Sequence, residues 1–251
     1  MSVTFSETPQ PYGTVHLAIL FGIAAVLILV YFPLRNQSER RLIRVLFWAG
    51  LLMLLAEAWK QWFVPRYVYP GILSTWFFPW QLCSMSMYCS FLVPFLKGKA
   101  QDTVLVFLST FSAVAALAAL LFPADMMRPQ ILLFVHSFLY HGVMLLESIT
   151  AFLILRKRKP VRFLPAALLF LAMAVVAELI NVVSHHIVND LSVEANMFNI
   201  TPYYPSTQPV FHAIAVRLGI LPEILIYLGV IILVSFGLYR LENLRKNFKK
   251  A

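Results

Sequence analysis

The sequence predicts an all-α, polytopic membrane protein built as a bundle of seven transmembrane helices. Apolar residues make up 61% of the 251 residues and charged residues only 12%. The mean hydropathy is +0.80, and such a composition excludes an ordinary soluble domain. Seven apolar stretches are long enough to cross a bilayer core, which takes about 20 residues of helix. They lie at about residues 14–34, 42–64, 75–96, 103–122, 130–155, 163–186 and 218–240.

The basic residues alternate between the two sides of this predicted bundle. Sixteen of the 20 follow the first, third, fifth and seventh spans: Arg35, Arg40, Arg41, Arg44, Lys97, Lys99, Arg156, Lys157, Arg158, Lys159, Arg162, Arg240, Arg245, Lys246, Lys249 and Lys250. The alternate connections hold only Arg66, Arg128 and Arg217. Because cytoplasmic loops carry the excess of Lys and Arg, the amino terminus is predicted outside and the carboxyl terminus in the cytoplasm. We expect a multi-pass protein of the plasma (inner) membrane.

The spans follow one another through short connections, with one exception. The first span is predicted to remain in the protein rather than to be cleaved as a signal peptide. Residues 1–13 lack a basic start, and residues 32–35 offer no small-residue cleavage site. The exception is the outer connection at about residues 187–217. Its Pro202, Pro205 and Pro209 argue against a continuous helix, and its length suits a lid over the outer face. With no soluble segment visible, residues 1–251 are predicted to form a single membrane domain.

The net charge of +9 does not indicate nucleic-acid binding. The basic residues lie in short juxtamembrane loops, where topology and anionic lipid headgroups explain them. Membrane phospholipids are therefore the predicted partners. No cofactor and no metal is predicted, and the sequence leaves the oligomeric state open.

Polar side chains recur at similar depth, toward the outer side, in five of the predicted spans. Such groups are costly in a bilayer and normally face the protein interior or a wet cavity. A pocket open to the outer leaflet is therefore predicted. Its substrate-binding candidates are Glu57, Lys60, His136, Glu178, Asn181 and His185. The spacing of the last three places them on one helix face. For Glu57 and Lys60, mutual neutralisation beside the interface is an open alternative.

Cys83 and Cys89 are the only cysteines. Six residues apart on one helix, they are separated by about 9 Å of rise and cannot form a disulfide with each other. Cys83 is expected at the same depth as His141. A thiol beside an imidazole can supply a nucleophile and its base, whereas inert packing is the alternative for a buried cysteine.

Residues 78–88, Phe-Pro-Trp-Gln-Leu-Cys-Ser-Met-Ser-Met-Tyr, resemble the signature of the YwaF-like bacterial integral membrane proteins. That family is distantly similar to the eukaryotic membrane acyltransferase called transmembrane protein 164. The histidine that begins residues 141–145 is also similar to a family histidine in a later span. The resemblance implies that Cys83 carries a fatty acyl group between phospholipids and that His141 is its base. It further implies that the Gln81 amide donates to an acyl oxyanion.

The function predicted on this basis is a membrane-embedded acyltransferase or lipid-remodelling enzyme with a Cys–His pair in an outer-leaflet pocket. The alternative is a non-catalytic membrane protein, a sensor or accessory subunit, that binds a lipid or small ligand. A channel or transporter is less favoured because no internal repeat is evident. Retinal-type photochemistry is disfavoured because the seventh span holds no lysine, and a zinc hydrolase because no His-x-x-x-His pair exists.

Overall fold

The computed structural model describes residues 3–188 and 190–247, apart from the side chains of residues 192 and 244–247, and these residues are mainly helical. The α-helices are α1 (Thr14–Arg35), α2 (Glu39–Tyr67), α3 (Ser84–Leu92), α4 (Gly98–Phe107), α5 (Ala113–Leu121), α6 (Ile131–Leu155), α7 (Leu164–Ile187), α8 (Pro209–Leu218) and α9 (Ile220–Asn247). A π-helical segment, Leu108–Ser112, joins α4 to α5. Short 3₁₀ turns occupy Val93–Phe95, Ala124–Met126, Leu191–Val193 and Met197–Asn199.

Within the described ranges, six helices are long and apolar enough to cross a membrane. They are Thr14–Arg35, Glu39–Tyr67, Gly98–Leu121, Ile131–Leu155, Leu164–Ile187 and Ile220–Asn243. This confirms the prediction of an all-helical, multi-pass membrane protein. Two shorter apolar helices, Ser84–Phe95 and Pro209–Leu218, complete the set. The count of seven spans and the orientation of the termini stay predictions.

The predicted third span, residues 75–96, is helical only over Ser84–Phe95. The preceding backbone pairs with another part of the chain, since the amides of Thr75 and Trp76 both donate to the Val193 carbonyl, at 2.9 and 3.0 Å. Pro79 adds a residue with no amide hydrogen to donate to a helix. Hydropathy alone does not reveal this half-span, because its non-helical residues are as apolar as its helix.

Aromatic side chains form a dry core beside the π-helical segment. The Phe111 ring stacks on Phe107, Phe163 and Phe170, with centroids 5.5, 5.6 and 4.9 Å apart.

Helices α2 and α3 approach very closely at Gly50, where an added Cβ would lie 2.4 Å from the backbone nitrogen of Phe91. Only glycine fits at that crossing.

Arg158, in the connection after α6, ties one end of the bundle together. Its guanidinium donates to Glu39 at 2.5 Å and to Asp102 at 2.5 Å, and also to Gln101 at 2.6 Å. Partial burial works to lower the pKa of Arg158, but the hydrogen bonds to the two carboxylates outweigh it and raise that pKa. Three connections that the charge pattern predicts on the cytoplasmic side therefore meet at one end.

Much of the long connection after α7 packs into the protein rather than lying loose over it. Glu194, Asn196, Met197 and Phe198 are all buried. Helix resumes at Pro209, which occupies the first turn of α8, a position where proline is favoured. The predicted 187–217 loop is thus a packed, mostly non-helical segment followed by a short helix.

Candidate active site: a polar cavity with an apolar wall

A cavity of about 360 Å³ lies near the end of the bundle where α2 finishes and α6 begins. Its volume falls within the range of small-molecule pockets. Six of the nine predicted site residues border it: Glu57, Lys60, Gln81, Cys83, His136 and His141. The remaining three, Glu178, Asn181 and His185, do not. The fold thus brings together side chains that are up to 84 positions apart in the sequence, from Glu57 to His141.

Helix α6 contributes three residues to the cavity wall, each of which carries a buried polar atom without a partner among the described residues. The rings of His136 and Tyr140 stack with centroids 5.5 Å apart, and the Tyr140 ring meets His141 edge-on at 6.0 Å. The Nε2 atoms of both histidines and the Tyr140 hydroxyl are buried, with no hydrogen-bond partner among the described residues. Native structures pair nearly all buried polar atoms, and these three are the atoms without a described partner that belong to cavity-lining residues.

The hydrogen bond at the other side of the His141 ring defines its tautomer. His141 Nδ1 lies 2.7 Å from the Ser137 carbonyl oxygen, which can only accept a hydrogen bond. Nδ1 therefore bears the hydrogen, and the neutral ring presents a lone pair at Nε2. An imidazole held this way can take up a proton at Nε2.

Cys83 lies immediately before the first residue of α3 and borders the cavity. The positive end of a helix dipole favours a thiolate at such a position. Cys83 packs against the cluster that contains Tyr140 and Met144. Cys89, by contrast, is 3% exposed in the hydrophobic core. The two thiols thus differ in access to the cavity.

The Gln81 side chain is anchored through its oxygen. The backbone amide of Phe198 donates to Gln81 Oε1 at 3.3 Å, and this bond does not use the amide hydrogens of Gln81. Phe198 and Asn199 both adopt positive φ, 59° and 56°, an uncommon conformation for such residues. The strained turn is thus the element that orients Gln81.

The Glu57 carboxylate has two partners at the cavity rim. Lys60 Nζ lies 2.9 Å from Glu57 Oε2, and Gln61 Nε2 donates to Glu57 Oε1 at 2.7 Å. The neutralised pair that was the alternative interpretation is present, and both members nevertheless border the cavity.

Comparison with known proteins gives one match. A model of the TMEM164 family matches residues 11–240. The chain belongs to the TMEM164 family. This confirms the relationship inferred from the segment around Cys83. No curated protein and no solved structure matches the chain.

In this TMEM164-family chain, Asn181 anchors the connection after α7 rather than the cavity. Its Oδ1 accepts from the Met197 amide at 2.6 Å, and its Nδ2 donates to the Met197 carbonyl at 3.2 Å. Its other neighbour is Glu178, whose Oε2 lies 3.5 Å from Asn181 Nδ2. The shared helix face predicted for these residues holds the segment that places Phe198 and Asn199 in the cavity wall.

His185 serves the same connection. Its Nδ1 lies 3.1 Å from a Glu194 oxygen, and its ring stacks on Tyr203 with centroids 3.5 Å apart. Beside them, burial and then the Glu194 charge raise the pKa of Tyr204 to about 12, so that this phenol stays protonated. Substrate contact by Glu178, Asn181 or His185 stays a prediction, and these contacts give all three a structural role.

Sequence reasoning missed Tyr140 and the apolar wall of the TMEM164-family cavity. Tyr140 is four residues after His136, the spacing that places two side chains on one helix face, and this signal was available. The wall comes from distant segments: Val114, Ala115, Ala118 and Ala119 on α5, Val210 and Phe211 on α8, and Val230 and Val234 on α9. No sequence pattern distinguishes these residues from lipid-facing ones.

Proposed function

We propose that this TMEM164-family protein is a membrane-embedded acyltransferase that moves fatty acyl chains between phospholipids. The observation that carries the proposal is the composition of the cavity: Cys83 and His141 border the same space as a long apolar wall. A polar end with a nucleophile and a base suits an ester, and the apolar wall suits its acyl chain.

In the first half-reaction, Cys83 Sγ attacks the carbonyl carbon of a phospholipid ester while His141 Nε2 takes the thiol proton. The carbon–oxygen bond breaks, the lysophospholipid alcohol leaves with that proton, and a thioester remains on Cys83. The Gln81 amide donates to the oxyanion that forms in between. In the second half-reaction a lysophospholipid hydroxyl gives its proton to His141, attacks the thioester and releases Cys83 as a thiol.

The proposal extends to topology. We assign seven crossings, with the third made by residues 75–96, an outside amino terminus, and a single domain in the plasma membrane. The helix Ser84–Phe95 spans only about 18 Å at 1.5 Å per residue. Residues 75–83 would complete the crossing, and non-helical backbone at membrane depth is tolerated where protein or a cavity surrounds it. Reporter fusions in the 156–162 connection test this: a reporter found outside the cytoplasm would overturn the orientation.

The enzymatic proposal is tested with purified protein in vesicles that contain a phospholipid with a labelled acyl chain and an unlabelled lysophospholipid. Exchange of label and a hydroxylamine-sensitive acyl adduct on Cys83, detected by mass spectrometry, are expected. Cys83→Ser should abolish both, and Cys89→Ser, the matched control, should retain both. Equal exchange in the two variants would overturn Cys83 as the nucleophile.

A second function, non-catalytic lipid binding, has one observation in its favour. A backbone carbonyl orients His141, whereas a carboxylate does so in the serine-nucleophile triads. Glu57 is committed to Lys60 and Gln61. Saturable lipid binding by unmutated protein that shows no exchange and no acyl adduct would establish this function instead.

A further inference from the structure

Two cations share one aromatic ring at the rim of the cavity. The guanidinium carbon of Arg128 lies 5.3 Å from the centroid of Phe77, and Lys60 Nζ lies 5.9 Å from the same centroid. All three residues border the cavity. Arg128 comes from the connection between α5 and α6, whereas Lys60 comes from α2. The tertiary structure therefore brings together two positive charges from distant parts of the chain.

Both cations have hydrogen-bond donors to spare. Arg128 uses Nε to donate to the Asp125 carbonyl at 2.9 Å, and its two Nη atoms have no acceptor among the described residues. The Lys60 ammonium bonds to Glu57 and has three hydrogens in all. The guanidinium fork matches the oxygens of a phosphate group, and the ammonium adds a second point of attraction.

The position relative to Cys83 fits a lipid. Lys60, Cys83 and the residues of the apolar wall border the same cavity. A headgroup held at the rim would leave its ester linkage near the thiol and its acyl chains along the wall. An isolated inorganic phosphate would use the cations but not the wall.

We propose that Arg128 and Lys60, which both contact the Phe77 ring, form a subsite for the phosphate ester of a phospholipid headgroup. This inference rests on the proposed function for its substrate class, and it concerns binding only. Two carboxylates that border the cavity oppose these cations: Glu57 pairs with Lys60, and Asp125 interacts electrostatically with Arg128. Removing the Asp125 charge should strengthen phosphate binding, and removing Arg128 should weaken it.

The test measures binding by purified full-length protein in a phosphate-free detergent. The probes are dihexanoyl phosphatidylcholine, dihexanoylglycerol with the same chains but no phosphate, and inorganic phosphate. Arg128→Gln should weaken phosphatidylcholine binding at least about tenfold, the range for a lost charged hydrogen bond. The same change should leave dihexanoylglycerol binding unchanged. Arg128→Lys should weaken phosphatidylcholine binding less than Arg128→Gln does, and Asp125→Asn should strengthen it.

Arg217→Gln is the matched control, because Arg217 is an exposed arginine on α8 that does not border the cavity. Equal losses of phosphatidylcholine affinity in Arg128→Gln and Arg217→Gln would mean that the overall charge of the protein is responsible, and they would overturn the subsite. An unchanged affinity in Arg128→Gln would also overturn it. Inorganic phosphate that binds as tightly as the lipid would overturn the lipid source. Repeating the titrations in Cys83→Ser protein separates the two proposals, since the Arg128 dependence should persist there even if acyl exchange is never observed.

Discussion

The two ends of the bundle, one with Arg158 and the other with Cys83, differ in how their polar groups are paired. Arg158 donates to Glu39, Asp102 and Gln101. At the other end, the Nε2 atoms of His136 and His141 and the hydroxyl of Tyr140 are buried without partners among the residues described. Polar networks with every member paired make a structure rigid, whereas unpaired buried groups need an explanation. The comparison supports a stabilising role for the first end and is the basis for the ligand binding that we propose at the second.

His141→Ala offers the sharpest test of this assignment. Exchange should fall about 10²- to 10⁴-fold, the usual contribution of a general base, while the melting temperature in detergent changes little. His186→Ala is the control, because His186 is exposed at the end of α7 and does not border the cavity. A large loss of stability without a specific loss of exchange would show that His141 has a structural role and is not the general base.

Asn181→Ala should give the largest loss of stability. The change removes both side-chain hydrogen bonds to the Met197 backbone, at a fully buried position, and two such losses are worth about 2–4 kcal/mol. Thermal unfolding measures the loss, and hydrogen exchange should rise in residues 190–201. Asn243→Ala removes one bond within a single helix and should have little effect. If both variants unfold at the same temperature, the anchoring role of Asn181 is wrong.

Arg158→Gln should destabilise the paired end by about 1–2 kcal/mol, less than a fully buried network because water can reach its carboxylates. Acyl exchange at the far end should be unaffected once the protein is folded. Lys157→Gln removes the same charge from an exposed neighbour and should leave the melting temperature unchanged. A drop in exchange specific to Arg158→Gln would mean that the two ends are coupled.

Tyr140→Phe should change the free energy of unfolding least, by about 0.5 kcal/mol or less in either direction. The hydroxyl that is removed has no partner in the described part of the chain, so no hydrogen bond is lost. Tyr239→Phe is the contrast, since the Tyr239 hydroxyl donates to the Val161 carbonyl at 2.6 Å, and it should cost about 1 kcal/mol. The comparison fails if Tyr140→Phe is the more destabilising of the two in thermal unfolding.

Much of the architecture is accessible from the sequence, since hydropathy is a local property. Apolar runs located the six long helices to within a few residues at most ends, and the motif around Cys83 identified the family. The signals are strong because a bilayer requires continuous apolar helix. The short helix Ser84–Phe95 was not distinguishable from a full span by hydropathy. The residues before it are non-helical because Thr75 and Trp76 pair with the distant Val193.

The sequence by itself determined that this is a multi-pass helical membrane protein of the TMEM164 family, and it predicted polar groups at similar depth. Only the tertiary structure decided which of them meet. Depth follows from position along a helix, and therefore from the sequence, whereas the direction in which a side chain faces depends on how each helix is rotated and packed. Thus His141 and Cys83 border one cavity, while Asn181 binds the Met197 backbone. Arg128 and Lys60 meet over Phe77 for the same reason, because contacts between distant segments leave no periodic signal in the chain.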